Sequence, residues 1–120
     1  MDLEDLKAHI TDFIDKRDWR QFQTTKDLAE SASVESNELL ELFIWRNGRE
    51  MDEHLRSEEG NDMLENVKNE TSDVLFACLA IAEHLGFSLE DAFLTKLKEL
   101  DERYAVEKVK GKVVKIPSKK

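Results

Sequence analysis

The stretch Glu35–Trp45, with the sequence ESNELLELFIW, places acids at helical spacing among apolar residues. A second stretch, Glu70–Leu75, reads ETSDVL and repeats the order of an acid, two spacers and an acid. Neither stretch contains glycine or proline, and helix-favouring residues are frequent in both. Both stretches therefore predict helices that carry acids along one side.

Apolar periodicity predicts four helices, and the few breakers of the chain separate them. The predicted ranges are about 3–16, 24–47, 61–85 and 88–106. Gly48 and Gly86 each follow a predicted helix, at a position where a left-handed cap is expected. Residues 49–60 are predicted to form a mobile polar loop. Because no hairpin signal or internal repeat is present, the predicted fold class is all-α, a four-helix bundle.

The charge of the chain is strongly acidic and unevenly distributed. Eighteen Lys and Arg residues stand against 27 Asp and Glu residues, which gives a net charge of −9. Six lysines and no acid occur from Lys108 onward, so residues 1–107 carry −15. This balance argues against binding to nucleic acid or to an anionic membrane, because both need clustered cations. We predict a helical domain over residues 1–107 and a basic, flexible tail over residues 108–120.

The remaining composition favours a soluble cytoplasmic protein. A single cysteine, Cys78, excludes an internal disulfide framework and a thiolate metal site. No apolar run reaches the length of about 18 residues that suggests a membrane span, and residues 1–5 do not resemble a secretion signal.

On a helical wheel, the first acidic stretch turns its acids toward its own apolar side. At about 100° per residue, Glu35 falls inside the apolar arc, between Leu42 and Leu28. Glu38 lies between Leu42 and Trp45, and Glu41 lies further around the helix. The pattern predicts acids close to the packed face of this helix.

The second acidic stretch has the same phase. Glu70 falls among apolar residues such as Met63 and Val74, and Asp73 lies on the edge of the arc. Each of the two predicted helices thus directs a pair of acids toward the core.

Four carboxylates that converge in apolar surroundings need compensation, because an unpaired buried charge costs several kcal/mol. Neither apolar arc carries a lysine or arginine. A hard divalent cation is the simplest compensation, and an all-oxygen donor set favours Mg²⁺, with Mn²⁺ as a substitute, over Zn²⁺. The alternative from the residues alone is a set of exposed, salt-bridged surface acids.

These residues resemble the MazG-type nucleoside triphosphate pyrophosphohydrolases, an all-α group whose signature is ExxE, a spacer and ExxD. In particular, the chain looks like the small single-domain branch that includes the dCTP pyrophosphatases. Three further features match that branch: Arg17-Asp18-Trp19, Phe22 and the Leu42–Trp45 end of the ExxE helix. The resemblance covers about residues 3–111, which is nearly the whole chain.

The resemblance implies hydrolysis of a nucleoside triphosphate, here a dNTP, to the monophosphate and pyrophosphate with Mg²⁺, for nucleotide-pool housecleaning. It assigns metal binding to Glu35, Glu38, Glu70 and Asp73. It assigns catalysis to Glu41 and Glu38. Glu41 would orient or deprotonate the attacking water, or bind a second ion; the alternative is a solvated helix acid.

By the same resemblance, Trp19, Phe22 and Trp45 line a nucleobase pocket, where aromatic rings stack on bases. Ordinary core packing is the alternative for these aromatics. Gln23 stands where dCTP-specific relatives often have histidine, so the base preference can differ here.

The final predicted helix resembles the part of the family that holds phosphate. Lys96, Arg103 and Tyr104 match this pattern and are expected to bind substrate; solvated helix surface is the alternative. Leu100 and Ala105 depart from the pattern, where the family has asparagine and proline. The departure at Leu100 puts the usual sugar discrimination in doubt.

Two alternative functions remain open, and the sequence also indicates how the chain assembles. A catalytically weak regulator that binds nucleotide or metal is one alternative, and a helical interaction module is another. The amphipathic helices give a thin core for a monomer, and the resemblance implies a homo-oligomer, with a tetramer favoured over a dimer.

Overall fold

The computed structural model describes residues 1–118, and within them the chain is helical and contains no strand. Two short 3₁₀ turns, Arg20–Phe22 and Glu58–Gly60, accompany six α-helices. The helices are α1 (Leu3–Lys16), α2 (Thr25–Glu41), α3 (Gly48–Arg56), α4 (Asn61–Leu85), α5 (Leu89–Arg103) and α6 (Val106–Val109). The all-α class is confirmed. The four predicted helices correspond to α1, α2, α4 and α5, and the described residues add α3 and α6.

The segment after α2 differs from its prediction. α2 ends at Glu41 rather than Asn47, and four-residue turns follow it, closed by hydrogen bonds such as Arg46 N–H to the Phe43 carbonyl. Trp45, rather than a glycine, adopts the left-handed backbone, with φ of 68°. The predicted helix was therefore too long by six residues.

Residues 49–60, predicted as a mobile loop, instead belong to α3 and the second 3₁₀ turn. The Asn47 side chain caps α3 by accepting hydrogen bonds from the N–H groups of Arg49 and Glu50, at 3.0 and 3.1 Å. Gly48 is therefore the first residue of α3, not a left-handed cap. The prediction failed because the polar composition hid a short helix in which only Met51 is buried.

Other helix ends follow the sequence signals. Gly86 has φ of 74° and caps α4 in the left-handed conformation, as predicted. The Ser88 hydroxyl accepts from the N–H of Asp91 at 3.1 Å and begins α5. Asp2 and Asp5 form a reciprocal capping box at the start of α1. α5 ends at Arg103, slightly before the predicted Val106.

The described chain divides into two compact units, of which the first comprises Met1–Gly86. In this unit α1, α2 and α3 all contact α4, which is therefore the central helix. Its buried alanines leave room for neighbouring helices to approach closely. The buried core residues are Ile10, Ile14, Leu28, Met51, Ala77, Leu79, Ala80 and Ala82.

The second unit begins at Phe87 and contains α5 and α6. The Tyr104 hydroxyl, at the end of α5, donates to the carbonyl of Ile116 at 3.3 Å and accepts from its N–H at 3.2 Å. These bonds hold the end of the described chain to the end of α5. The domain boundary predicted at residue 107 stays a prediction, and Lys119 and Lys120 of the predicted tail lie outside the described residues.

Within residues 1–118, no single helix has the length and apolar composition needed to cross a membrane. In the part of the chain that the structure describes, one pair of segments, Glu58–Leu85 and Leu89–Arg103, meets that measure of length and composition when counted together.

Candidate metal centre

The two acidic stretches of the sequence meet where α2 packs against α4. Glu35 and Glu38 come from α2, and Glu70 and Asp73 come from α4. One carboxylate oxygen of each residue lies within 4.8 Å of the corresponding oxygens of the other three. Residues three apart on a helix share one face, so each helix contributes its acids as a pair.

Glu35 and Glu70 are half-buried, and each has an Oε2 atom that is shielded from solvent and without a hydrogen-bond partner among the described residues. Removal from solvent is the main reason that the pKa of Glu35 is raised, and its contact with Glu38 adds to the effect. Removal from solvent likewise raises the pKa of Glu70, followed by the negative charges of Glu38 and Asp73. The site thus accumulates negative charge in a place where water compensates it poorly.

The donor set fits a hard divalent cation. None of the ion pairs among residues 1–118 joins a lysine or arginine to these four acids. The unpartnered Oε2 atoms of Glu35 and Glu70 supply free oxygen ligands of the type that Mg²⁺ and Mn²⁺ prefer. Compensation by a cation from outside the chain is therefore chemically reasonable.

Glu41, the fifth predicted acid, is the last residue of α2 and is exposed. It is not among the four residues whose oxygens converge. Its charge nevertheless contributes to the raised pKa of Glu70, so Glu41 lies within electrostatic range of the cluster. Such a position suits a group that acts beside a metal centre.

The three aromatics predicted for the base pocket are exposed rather than buried. Trp45 is fully exposed, and Phe22 is 71% exposed. Trp19 is about half exposed and lies edge-on to Phe13, with ring centroids 5.8 Å apart. The alternative interpretation, that Trp45 and Phe22 pack in the core of this chain, is therefore wrong. Their rings remain accessible to a ligand or a second subunit.

An ion pair that the sequence interpretation missed anchors the turn that contains Phe22. Arg20 donates two hydrogen bonds to Glu83 of α4, at 2.7 and 2.9 Å, and a third to Asp15 at 3.1 Å. The Glu83 side chain is only 6% exposed, and its hydrogen bonds from Arg20 lower its pKa. Arg20 and Glu83 are 63 residues apart, so no local pattern could have indicated their contact.

In the second unit, the predicted phosphate-binding cations contact an acid that was not singled out. Lys96 Nζ lies 3.1 Å from Glu99 Oε2, and Arg103 Nε lies 3.5 Å from Glu99 Oε1. The Arg103 guanidinium also lies 5.2 Å from the centroid of the Tyr104 ring. The spacing of Lys96, Glu99 and Arg103, three and four residues apart, could have predicted these pairs.

Fold and site together define an all-α protein with a four-carboxylate candidate metal centre on two packed helices. The model of the MazG-like family matches residues 31–115, a range that contains all four carboxylates. The chain therefore belongs to the MazG-like family, and the resemblance seen in its motifs is confirmed.

Relatives with assigned names agree with this family. The chain is 30% identical over 113 residues to dCTP pyrophosphatase 1 of Mus musculus and 31% identical to that of Bos taurus. Each match covers 94% of this chain and 65% of the relative, so the chain spans just under two thirds of their length. A crystal structure of a pyrophosphatase from Archaeoglobus fulgidus matches with a TM-score of 0.74 and 31% identity, over 85% of this chain and 91% of that one.

Proposed function

We propose that the chain is an Mg²⁺-dependent nucleoside triphosphate pyrophosphohydrolase that converts a dNTP to its monophosphate and pyrophosphate. The single observation that carries the proposal is the convergence of four carboxylates from α2 and α4 in a chain of the MazG-like family. Relatives named dCTP pyrophosphatase support a nucleotide as substrate. Housecleaning of the nucleotide pool in the cytoplasm is the proposed role.

Glu35, Glu38, Glu70 and Asp73 would hold the metal. When bound, Mg²⁺ would neutralise charge on the triphosphate and make its phosphorus more electrophilic. The chain's own contribution is to keep four oxygen donors together at the contact of two helices, where their mutual repulsion favours capture of a cation over an empty site.

Glu41 and Glu38 are the proposed catalytic acids. A water molecule would attack the α-phosphorus in line with the bridging oxygen, whose bond to the α-phosphorus breaks as pyrophosphate leaves. Glu41, exposed at the end of α2, would orient this water and take its proton. Glu38 would both ligate the metal and help to fix the geometry of attack.

The exposed aromatics are proposed to bind the base, since stacking on Trp45, Trp19 or Phe22 does not require a particular base. Gln23 and Leu100 replace residues that the family pattern associates with recognition, so we expect base and sugar preferences that differ from those of a strict dCTP enzyme. Lys96, Arg103 and Tyr104 would contact the triphosphate.

We also propose that the chain forms a four-helix-bundle unit of the NTP pyrophosphatase type within a homo-oligomer, with a tetramer favoured over a dimer. An apolar groove between α1 and α4 leaves large side chains partly in solvent, which supports this assembly. The groove is lined by Leu6, His9, Ile10, Phe13, Ser72, Leu75, Phe76 and Leu79.

A substrate panel tests the proposed activity. The protein is incubated with each canonical NTP and dNTP plus Mg²⁺, and the products are resolved as monophosphate and pyrophosphate. We expect turnover that is abolished by chelation and by Glu38→Gln. Glu30 is an exposed acid of the same helix, so the control variant Glu30→Gln should retain turnover.

The outcomes separate the alternatives. Mg²⁺-dependent nucleotide binding without turnover would instead indicate a regulator, and an absence of nucleotide binding would indicate an interaction module. Full activity of Glu38→Gln would contradict the four-carboxylate site.

A further inference from the structure

Glu99 lies between two cations on one face of α5. Its carboxylate oxygens approach Lys96 Nζ at 3.1 Å and Arg103 Nε at 3.5 Å. The three side chains are three and four residues apart, so the helix itself brings them together. A single acid therefore engages both cations that the proposed function directs at phosphate.

These residues face a cavity within the same compact unit. Lys108 adds a third cation to its lining, and the end of the described chain, Ile116–Ser118, closes one side. Glu99 and Glu102 are the two acids of the lining. The lining thus carries three cations and two acids, and loss of one acid would leave a clear excess of positive charge.

Arg103 is not fully satisfied by Glu99. Its side chain is only 17% exposed, and its Nε is shielded from solvent without a hydrogen-bond partner among the described residues. The 3.5 Å separation from Glu99 is an ion pair but exceeds the length of a normal N–H···O hydrogen bond. A shielded guanidinium N–H in this state can still donate to a better-placed anionic oxygen, and phosphate presents several such oxygens.

We propose that Glu99 is a built-in competitor for phosphate: its carboxylate pairs with Lys96 and Arg103, and a polyphosphate competes with it for both cations. The inference rests on the proposed function, in which these cations hold the triphosphate. The competition weakens binding both of the substrate's phosphates and of the pyrophosphate product at these cations. Weaker product binding favours release, a step that often limits turnover.

The test uses inorganic tripolyphosphate without metal, so that the carboxylate centre of the first unit does not contribute. Its dissociation constant is measured by calorimetry for the full chain and for Glu99→Gln. We expect the variant to bind about tenfold more tightly, as for release of one charge-assisted contact. Glu102→Gln is the matched control, because Glu102 lines the same cavity with the same charge but takes part in neither ion pair.

Each outcome either supports or overturns the competitor role of Glu99. Weaker binding by Glu99→Gln would show that the carboxylate positions the cations, and an equal gain in Glu102→Gln would show a general charge effect; both overturn the proposal. Adding Lys96→Ala to Glu99→Gln should remove the gain. Circular dichroism confirms that the helices persist, and Glu99→Ala must reproduce the gain.

The result is independent of catalysis. Tighter tripolyphosphate binding in a protein without nucleotide turnover would leave the competitor role standing and remove the proposed function. Normal turnover with no change in tripolyphosphate affinity in Glu99→Gln would overturn the competitor role and leave the proposed function standing.

Discussion

Glu70 is a residue at which the electrostatic cost of the candidate metal centre can be measured. Its pKa is raised by removal from solvent and by neighbouring carboxylates, so its ionised form is less favourable in the folded chain than in the unfolded chain. Without metal, this residue therefore destabilises the fold wherever it is ionised. Such a cost is typical of a functional position.

The first prediction concerns Glu70→Gln. We expect the metal-free variant to be more stable than the wild type at neutral pH, because one repelling charge is removed. The advantage should vanish in acid, below the ordinary glutamate pKa of about 4.3, where the carboxyl is protonated in both states. Urea denaturation with a chelator, repeated across pH, measures this difference.

Adding Mg²⁺ gives the complementary readout. The cation should stabilise the wild type increasingly as its concentration rises above the dissociation constant, and should stabilise Glu70→Gln far less. Glu65→Gln is the control, since Glu65 is an exposed acid of α4 paired with Lys68. It should change stability by no more than about 0.5 kcal/mol and keep the Mg²⁺ response. A Glu70→Gln variant that is destabilised at neutral pH would contradict the carboxylate repulsion.

Trp45 combines a left-handed backbone with a fully exposed side chain. A bulky residue in that conformation costs about 1–3 kcal/mol and persists where something else favours it. We predict that Trp45→Asn folds at least as stably, because asparagine tolerates the conformation, while its KM for nucleotide rises about 5- to 100-fold through lost stacking. Trp45→Phe should keep most of the affinity. Unchanged KM in Trp45→Asn would exclude a role for the ring in base binding.

At the scale of elements, Gly60 sets the junction between α3 and α4. A Cβ built at this position would overlap the carbonyl oxygen of His54 at the end of α3. That contact is with backbone, which cannot rotate away. We predict that Gly60→Ala destabilises the protein by about 1–3 kcal/mol, measured by urea denaturation.

Gly48→Ala is the matched control for this prediction. A Cβ at Gly48, the first residue of α3, meets no atom within 4 Å. The change should be neutral or stabilising by up to about 1 kcal/mol, because alanine restricts the unfolded chain. Equal effects of the two substitutions would contradict the close approach at Gly60.

The Arg20–Glu83 pair connects the 3₁₀ turn to α4 and makes stability depend on pH. Its hydrogen bonds lower the pKa of Glu83, so their contribution is complete above the ordinary value of about 4.3 and is lost as pH falls through the folded-state pKa. We predict that Glu83→Gln costs about 1–2 kcal/mol at neutral pH, a modest value because Arg20 is 42% exposed.

Denaturation of the wild type and Glu83→Gln across acidic pH tests that dependence, and the two curves should converge in acid. Asp12→Asn, which removes an exposed pair with Lys16, is the control and should show little difference at any pH. A constant difference between wild type and Glu83→Gln down to the lowest pH would indicate that the charge of Glu83 is unimportant.

The sequence predicted long helices well because their signals are local. Periodicity and caps placed α1 at Leu3–Lys16 and α4 at Asn61–Leu85, as the structure has them. The region 42–60 was mispredicted because two local signals competed. Gly48 resembled a left-handed cap, whereas Asn47 provides the N-cap of α3 and Trp45 takes the positive φ.

The candidate site was predictable to the extent that it depends on helix phase. Glu35 and Glu70 occupy matching positions on their wheels, and helix packing alone brings these positions together. The contact of Arg20 with Glu83 was not predictable, since it depends on how a turn meets a distant helix. The ion pairs of Glu99 with Lys96 and Arg103 were predictable from residue spacing. However, α5 carries many acids, and the pattern alone does not show which of them matters.

At the scale of the whole molecule, the excess of acid sets which anions can approach. A chain with net charge −9 repels long polyanions, and the candidate metal centre itself brings four acids together. A small triphosphate that carries its own cation meets a far smaller barrier.

The last prediction concerns assembly through the apolar groove between α1 and α4. Phe76 and Leu75 expose 42% and 41% of their surface there, and the groove lining is mostly apolar. Covering such a surface stabilises an oligomer by about 25 cal/mol for each Å² removed from water. Light scattering should therefore give a mass that is a multiple of 13.9 kDa, with fourfold favoured.

Leu75→Glu places a charge in the groove and keeps both rings of the Phe13–Phe76 pair, whose centroids lie 5.8 Å apart. We expect this variant to lower the mass toward that of the monomer and to make its melting temperature independent of protein concentration, because folding is then uncoupled from association. Val34→Glu, a change at an exposed apolar residue of α2 outside the groove, should leave the mass unaltered. A wild-type mass of 13.9 kDa would contradict assembly altogether, whereas an oligomer that survives Leu75→Glu would place the interface on another apolar surface of the chain.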